Sequence, residues 1–235
     1  SIQVFIPQDT TALALGAEKV VSSLLQGAQT LGLDVEITRN GSRGMFWLEP
    51  LMEVETESGR IGFGPVKLSD VESILDILNS GSVGTASIKH PLYLGEVSEI
   101  AYLAKQQRLT FKRSGVADPT CIESYQRLEG FSGLAKALSM SGQDVVDELK
   151  NSGLRGRGGA AFPAGIKWQT VLDTPGEQKY IVCNADEGDS GTFADRLLME
   201  SDPYQLIEGM TIAGLAVGAN QGYIYLRSEY PVAHK

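Results

Sequence analysis

The chain has 235 residues and is acidic, with 29 Asp and Glu residues, 20 Lys and Arg residues and a formal net charge of −9. That charge argues against non-specific nucleic-acid binding, which needs a surplus of cations. The hydrophobic content of 42% is ordinary for a globular protein, and no apolar run approaches the length of a membrane span. The N-terminal residues lack the pattern of a secretory signal. We therefore expect a cytoplasmic protein of one or two domains.

The first part of the chain predicts alternating strands and helices. Short apolar stretches predict strands at 2–6, 33–38, 51–54 and 61–63. A helical spacing of apolar residues predicts a helix that begins at Asp9 or Thr10 and ends near Leu31. Ser69 is placed to cap a second helix over 70–78. The order β-α-β-β-β-α fits a thioredoxin-like domain.

The middle of the chain is predicted to connect two folded units. Its first segment, 80–91 (SGSVGTASIKHP), is rich in Gly, Ser and Pro, which is typical of a linker. Short helices are predicted over 96–107, 121–128 and 133–138. A basic patch, for which a solvated face is favoured over contact with an acidic partner, comprises Lys105, Arg108, Lys112 and Arg113.

The most distinctive stretch of the chain is 152–168 (SGLRGRGGAAFPAGIKW). It follows a predicted helix over 143–151 that Ser141 is placed to cap. Glycine permits positive φ and close approach of a ligand, and successive free N–H groups form an anion-binding concavity. The stretch therefore predicts a phosphate-cradling loop. A plain turn is the alternative, because neither the dinucleotide fingerprint nor a Walker motif is present.

A second polar stretch follows a predicted strand at 179–182 (KYIV). Residues 183–196 (CNADEGDSGTFADR) come directly after it, where ligands bind in many α/β proteins. The amide of Asn184 both donates and accepts hydrogen bonds, and the carboxylates accept them from ribose or ribityl hydroxyls and flavin N–H groups. We interpret the two stretches as one nucleotide-like site. An ordinary solvated loop is the alternative for the acidic residues.

Together these stretches resemble the NADH-binding flavoprotein subunit of respiratory complex I and its soluble relatives. Those relatives are the diaphorase subunits of NAD-dependent formate dehydrogenases and NAD-reducing hydrogenases. The resemblance covers about residues 145–231 and includes DPYQLIEGMTIAGLAVGA and YIYLRSEYP in the family's order. The segment 106–119 (QQRLTFKRSGVADP) is similar to the soluble subunits, so a formate dehydrogenase subunit is the nearest expectation.

The resemblance implies that the glycine-rich stretch holds FMN and NAD(H). The residues implied to line the flavin phosphate and the nicotinamide side are Gly156, Arg157, Gly158 and Gly159. Phe162 would stack against the adenine end of NAD(H), and Lys167 would contact the nucleotide. Many family members also carry an aromatic residue at the position of Thr170, and its absence leaves the second half of an adenine sandwich unfilled.

The resemblance also implies roles for the polar stretch. Asn184, Asp186 and Glu187 would hold the flavin ring and the ribityl chain. Asp189 stands where many members carry Glu, and it would contact the adenosine ribose and favour NAD over NADP. No catalytic side chain is expected, because the cofactors carry the hydride chemistry.

Iron–sulfur clusters are expected outside this chain. Its cysteines, Cys121 and Cys183, cannot supply a four-ligand site, and the histidines, His90 and His234, do not suggest a metal. The resemblance places clusters in a C-terminal part of a larger subunit and in partner subunits. The partners implied are a small thioredoxin-like ferredoxin subunit and a larger iron–sulfur, molybdenum or hydrogenase subunit. Electrons would pass between FMN and these clusters.

The N-terminal part resembles the thioredoxin-like ferredoxin domain fused to many soluble diaphorase subunits. The stretch where such ferredoxins carry cluster cysteines, 39–54, contains none. We expect a degenerate domain without cluster ligands that docks a partner, with Phe46 and Trp47 in the core rather than at an interface. Two rivals to the diaphorase remain open: a docking scaffold that has lost its flavin, and a different flavin- or nucleotide-dependent enzyme.

The expected organisation is α/β throughout. Residues 1–80 would form the degenerate thioredoxin-like domain and 81–140 a linker with connecting helices. Residues 141–235 would begin an FMN- and NAD(H)-binding domain of the complex I flavoprotein type, incomplete at the C-terminus.

Overall fold

The computed structural model describes residues 1–83, 88–189 and 191–235. The strands are β1 (Ile2–Phe5), β2 (Val35–Thr38), β3 (Met52–Thr56), β4 (Gly59–Phe63), β5 (Tyr93–Glu96), β6 (Tyr180–Ala185) and β7 (Gln221–Leu226). The α-helices are α1 (Thr10–Ala14), α2 (Ala17–Leu31), α3 (Val71–Asn79), α4 (Ala101–Ala104), α5 (Ile122–Arg127), α6 (Ser132–Ala137), α7 (Gly142–Asn151), α8 (Ala164–Asp173), α9 (Ala194–Ser201), α10 (Pro203–Val217) and α11 (Pro231–His234). The predicted linker, 80–91, and the polar stretch each include positions outside the described residues.

The N-terminal sheet has the strand order β2-β1-β3-β4-β5. Strands β1 and β2 are parallel, whereas β3 pairs antiparallel with both β1 and β4. Apolar residues of α2 and α3 pack into one core with the strands, around residues such as Leu24, Val54 and Ile74. A β-α-β unit joined to a β-hairpin and a final helix is the thioredoxin-like arrangement, and the predicted fold class is confirmed.

Three local predictions in this domain are wrong in detail. The long helix is interrupted at Gly16, whose φ of +96° is accessible to glycine, so α1 and α2 are separate. Ser69 does not cap α3; instead the Asp70 carboxylate accepts from the Lys67 backbone N–H at 2.8 Å. The helix expected over 96–107 is reduced to a 3₁₀ turn over Val97–Glu99 and the short α4. Strand β5, which ends at Glu96, was not predicted and continues the sheet past residue 80.

Other capping predictions are confirmed. The Asp9 carboxylate accepts from the backbone N–H of Thr11 at 3.0 Å and so caps α1. The Ser141 hydroxyl accepts from the Asp144 backbone N–H at 3.2 Å and forms a capping box at the start of α7. The short helices predicted near 121–128 and 133–138 form as α5 and α6.

Phe46 and Trp47, the aromatic residues expected in the core, differ in their exposure to solvent. Trp47, expected in the core, is 58% exposed and meets the ring of Tyr102 edge-on at 5.0 Å. Phe46 is half-buried, and its ring lies 5.5 Å from the guanidinium carbon of Arg196. The core prediction is therefore wrong for Trp47.

The second sheet contains the parallel strands β6 and β7, aligned from Tyr180 opposite Gln221 to Ala185 opposite Leu226. Ile181 packs with α7, α8 and α10 around Val146. Cys183 lies next along the same face, in an apolar cluster with Ala185. Gly165 lets α8 approach α7, since a Cβ there would lie 2.6 Å from Cγ of Lys150.

Helix α9 joins the two sheets because it packs against the N-terminal domain. The carboxylate of Glu200 accepts from the backbone N–H of Thr10 at 2.8 Å and from its hydroxyl at 2.6 Å. A guanidinium N–H of Arg196 donates to the hydroxyl of Thr11 at 2.8 Å. Arg113, expected on a solvated face, instead pairs with the buried Asp202 directly after α9, at 2.8 Å.

The contact between Gly41 and α9 leaves no room for a side chain. A Cβ at Gly41 would lie 2.1 Å from Cβ and 2.5 Å from Cα of Ser201. We predict that Gly41→Ala lowers the free energy of unfolding by at least about 2 kcal/mol, because backbone must move apart. Gly209→Ala is the control, because Gly209 lies on an exposed helical face and a Cβ there would meet no atom within 4 Å. This variant should raise the free energy of unfolding by about 0.5–1 kcal/mol. Urea unfolding measures both, and equal effects would contradict the packing argument.

Buried carboxylates also lie near this junction. Burial, and after it the charge of Asp9, raises the pKa of Glu49 to about 8. Burial likewise raises the pKa of Asp9. The Glu49 carboxyl is held by the Ser42 hydroxyl at 2.6 Å and by the Leu51 backbone N–H at 3.0 Å. Because its pKa is higher folded than unfolded, the folded state keeps a proton that the unfolded state releases.

Because the folded state retains this proton, Glu49 makes the protein less stable as the pH rises. Below the ordinary pKa of 4.5 both states are protonated, so the wild type should lose stability as pH rises from there to about 8. The slope contributed by Glu49 should reach about 1.4 kcal/mol per pH unit. Glu49→Gln keeps the shape of the group without the proton, and we predict a shallower decline in urea unfolding measured between pH 5 and 8. Parallel wild-type and variant profiles would refute this.

Candidate functional site

The two stretches singled out by sequence lie on either side of the segment that contains helix α8 and strand β6. The Lys179 ammonium group, at the start of β6, donates to the carbonyls of Val171 and Leu172 near the end of α8, at 2.7 and 3.1 Å. The end of α8 therefore lies close to the start of β6. Trp168 and Leu172 of α8 pack in the same apolar cluster as Ile181 of β6. The glycine-rich stretch leads into α8, and the polar stretch follows β6 at the carboxyl end of that strand.

The glycine-rich stretch forms a closed loop over residues 155–163, here called the glycine loop. The Gly156 N–H donates to the carbonyl of Phe162 at 2.9 Å, and Arg155 donates from its guanidinium to the carbonyl of Ala161 at 2.8 Å. Gly159 has a φ of +96°. Within the described parts of the chain, the backbone N–H groups of 157–162 have no acceptor. The loop thus presents a run of free donors at its exposed tip.

The tip of the glycine loop is open as well as rich in donors. A Cβ built at Gly158 or Gly159 would meet no atom within 4 Å. Among the described residues, the Arg157 side chain has no hydrogen-bond or ion-pair partner. Internal packing therefore does not demand glycine at 158. The tip fits a phosphate group, which accepts several hydrogen bonds and tolerates an adjacent cation.

Phe162 and Lys167 form an exposed aromatic–cation pair at the junction between the glycine loop and α8. The Lys167 ammonium nitrogen lies 6.0 Å from the ring centroid of Phe162, which is 47% exposed. Thr170 lies one turn further along α8, also exposed, with its hydroxyl donating to the carbonyl of Ile166. The pair offers an apolar ring and a positive charge to a nucleotide from one side.

The polar stretch after β6 contains two kinds of acidic residue. We call residues 186–189 and 191–193 the polar loop. The carboxylates of Asp186 and Asp189 make no hydrogen bond or ion pair within the described part of the molecule. Asn184 uses its side-chain oxygen to accept from the Asp186 backbone N–H at 3.2 Å. These exposed groups are free to meet a ligand.

The carboxylate of Glu187 is already bonded to protein. It accepts from the backbone N–H groups of Asp195 and Arg196 at 2.8 and 3.0 Å, at the first turn of α9. It also accepts from the Tyr230 hydroxyl at 2.8 Å, while the Glu187 carbonyl accepts from Arg227 at 2.7 Å. The carboxylate predicted to hold flavin therefore serves as a helix cap, and its flavin contact stays a prediction.

Burial around Glu187 shifts several pKa values upward. Burial and the hydrogen bond to Glu187 raise the pKa of Tyr230 to about 12, so its hydroxyl remains a donor at neutral pH. Burial, followed by the Glu187 charge, raises the pKa of Asp195. Burial, followed by the Asp195 charge, raises the pKa of the Cys183 thiol. Cys183 is therefore kept as a thiol and not as a nucleophilic thiolate.

Arg196, Arg227 and Tyr230 are site residues to which sequence reasoning assigned no role. Arg227 directly follows β7, and its backbone N–H donates to the carbonyl of Ala185 at 3.2 Å, which brings it to the polar loop. The signal available was its position after a strand, in the run YLRSEYP. No group of His, Cys, Asp or Glu side chains in the described ranges could hold a metal ion. Nor is any described helix both long and apolar enough to span a bilayer.

Comparison with known proteins finds similarity over the region that contains both loops. Residues 149–235 match the profile of the Nuo51 FMN-binding domain. The NADP-reducing hydrogenase subunit HndC of Solidesulfovibrio fructosivorans is 52% identical over 131 residues, which is 56% of this chain and 26% of that protein. The region 149–235 is thus similar in sequence to an FMN-binding domain. Both the glycine loop and the polar loop lie inside the matched region.

Another curated relative is similar over nearly the same share of the chain. An NADH-quinone oxidoreductase subunit of Aquifex aeolicus (strain VF5) is 44% identical over 133 residues, which is 57% of this chain and 31% of that protein. The chain spans about a quarter to a third of the length of these relatives. A NAD⁺-reducing [NiFe]-hydrogenase structure is 18% identical, with a TM-score of 0.44 over 99% of this chain and 38% of that chain.

The two kinds of carboxylate in the polar loop should respond differently to truncation. We predict that Glu187→Ala lowers the free energy of unfolding by about 1–2 kcal/mol, because two backbone donors and a buried hydroxyl lose their acceptor. Asp186→Ala, the matched control, should stay within about 0.5 kcal/mol, since its carboxylate has no protein partner. Ligand-free thermal unfolding measures both. A stability loss confined to Asp186→Ala would reverse the assignment.

Proposed function

We propose that residues 141–235 form a diaphorase module that binds FMN and NAD(H). The observation that carries this proposal is the tip of the glycine loop, where unpaired N–H groups, an unpaired Arg157 and open space at Gly158 lie together. Donors without acceptors on an exposed loop suit a phosphate dianion, and FMN ends in one. The similarity of the matched region to an FMN-binding domain supports the same cofactor.

The residues divide between the two ligands by their chemistry. Gly156, Arg157, Gly158 and Gly159 would receive the phosphate and border the nicotinamide, with Phe162 and Lys167 toward the adenine end. The polar groups assigned to the flavin ring and ribityl chain are Asn184 and Asp186, because their side chains are exposed and lack strong protein partners. Asp189 would accept from the adenosine ribose hydroxyls.

The chain's own contribution is binding and orientation. When bound, FMN would exchange a hydride with NAD(H) and single electrons with iron–sulfur clusters. Arg157 would neutralise phosphate charge, and the Phe162 ring would support a stacked nucleotide. Asp186 would accept a hydrogen bond from the flavin or the ribityl chain. No side chain in this proposal acts as a general acid or base.

The finer assignment is to NAD⁺ reduction within a cytoplasmic, soluble formate dehydrogenase complex. The segment 106–119 supports it through its similarity to such subunits. A hydrogenase complex is the second candidate, favoured by the 52% identity to a hydrogenase subunit. Partners would be a small thioredoxin-like ferredoxin subunit and a larger iron–sulfur subunit. Clusters would lie in those partners and in a longer form of this subunit.

The preference for NAD over NADP rests on one carboxylate. Asp189 would repel a 2′-phosphate, because two negative charges would share a site. The similar HndC subunit carries NADP in its name, so the test compares NADH with NADPH. We propose NAD as the preferred nucleotide.

The first experiment is anaerobic titration of the full-length polypeptide, purified with its partner chains, using NADH and then NADPH. We expect a bound flavin whose visible absorbance is bleached by NADH at lower concentration than by NADPH. A colourless protein would favour the docking scaffold. A flavin that neither nucleotide bleaches would indicate a different flavin enzyme. Formate and hydrogen, added separately, would distinguish the two complexes.

A glycine variant tests the phosphate site itself. Gly158→Ala should weaken FMN binding by more than about tenfold, because a methyl group would occupy the face that the phosphate approaches. Its ligand-free thermal midpoint should match the wild type, since the new Cβ meets no protein atom within 4 Å. Gly209→Ala serves again as control and should bind FMN normally. Wild-type FMN affinity in Gly158→Ala would refute the phosphate assignment.

A further inference from the structure

We propose that Glu187 and helix α9 form a positioning link, through which the N-terminal domain sets the conformation of the polar loop. The inference rests on the proposed function, because the polar loop carries the carboxylates assigned to FMN and NAD(H). It adds a role for the cluster-free domain: that domain would act on cofactor binding from within the same chain, in addition to any docking of a partner.

The first part of the link is the attachment of the polar loop to α9. Glu187 has a φ of +43°, in the left-handed region that a residue with a side chain adopts only when its surroundings hold it there. Two sets of hydrogen bonds hold it there. Its carboxylate accepts from the backbone N–H groups of Asp195 and Arg196, and its carbonyl accepts from the Arg227 guanidinium. A displacement of the first turn of α9 would therefore move Glu187 and the aspartates on either side of it.

The second part is the attachment of α9 to the N-terminal domain. The carboxylate of Glu200, in the last turn of α9, accepts hydrogen bonds from both the backbone N–H and the hydroxyl of Thr10. Arg196, in its first turn, donates to Thr11 and stacks over Phe193, with the guanidinium carbon 4.3 Å from the ring centroid. Arg196 therefore contacts the N-terminal domain with its side chain and Glu187 with its backbone.

The third part is the shortness of α9. Eight residues, Ala194–Ser201, make a helix too short to be stable on its own. Its place is fixed by contacts at its two ends, and Arg196, Glu200 and Ser201 are all buried. Weakening the Thr10 and Thr11 contacts should accordingly loosen the cap at Glu187, although neither threonine bonds to the polar loop.

The test uses isosteric changes in the N-terminal domain of the full-length polypeptide. The double variant Thr10→Val and Thr11→Val removes both hydroxyls, whereas Thr10→Ser and Thr11→Ser keeps them. The control is Thr30→Val on the exposed side of α2, whose hydroxyl donates only to the Gln26 carbonyl. Hydrogen exchange of the Asp195 and Arg196 amides, without FMN, reports the cap directly.

We expect the valine pair to speed exchange at Asp195 and Arg196 by about tenfold, with the serine pair and Thr30→Val close to the wild type. Exchange at Val146, buried in the α7 core, should stay unchanged; equal acceleration there would mean general destabilisation and would overturn the link. Unchanged exchange at Asp195 and Arg196 would overturn it as well. Should the valine pair fail to fold, Glu200→Gln, which weakens the same contact, takes its place.

A second readout separates this inference from the proposed function. FMN should bind the valine pair about tenfold more weakly than the serine pair, and the KM for NADH should rise more than kcat falls. A wild-type protein that binds no FMN would defeat the proposed function while leaving the exchange result to decide the link. A protein that binds FMN equally in both pairs would defeat the link alone.

Discussion

The capping of α9 by Glu187 is the interaction that attaches the polar loop to the helix packed against the N-terminal domain. A single carboxylate satisfies two donors at the start of a helix and a buried hydroxyl from Tyr230, forty-three residues away. Without it, the loop after β6 would have no fixed relation to the helix that follows. With it, the free carboxylates of Asp186 and Asp189 are presented at the carboxyl end of β6.

Glycines in this chain serve two distinct physical purposes. Gly41 and Gly165 permit close packing, since a Cβ at either position would lie within 2.6 Å of another element. Gly158 faces open space, and no atom of the described protein explains its lack of a side chain. The first kind belongs to the fold. The second kind leaves room for a ligand, and the difference becomes visible only when the backbone is built.

Local features were predictable from sequence where all the interacting groups lie within one short segment. Ser141 and Asp9 cap helices because the acceptor and the donor lie within three residues of each other. The break at Gly16 and the strand β5 were missed, since a glycine in a helical pattern and the short YLGE segment are locally ambiguous. Tertiary pairing with β4 is what makes residues 93–96 a strand.

The candidate site was predictable in composition more than in geometry. The clustering of Gly, Arg and acidic residues identified the two loops, because few packed cores need such stretches. The role of Glu187 as a helix cap was not predictable from sequence, because its partners at 195, 196 and 230 come close to it only in the folded chain. The exposed position of Trp47 likewise follows from a short 3₁₀ turn over Phe46–Leu48, which directs the indole outward beside Tyr102.

The placement of the two tryptophans has a spectroscopic consequence. Trp47 is the fluorophore of the N-terminal domain, whereas Trp168 lies partly buried against the α7 and α10 core of the second. Each half of the molecule thus contains its own intrinsic reporter, in a different solvent environment. Single Trp-to-Phe proteins would reveal whether the halves melt in one cooperative step or in sequence, without any attached dye.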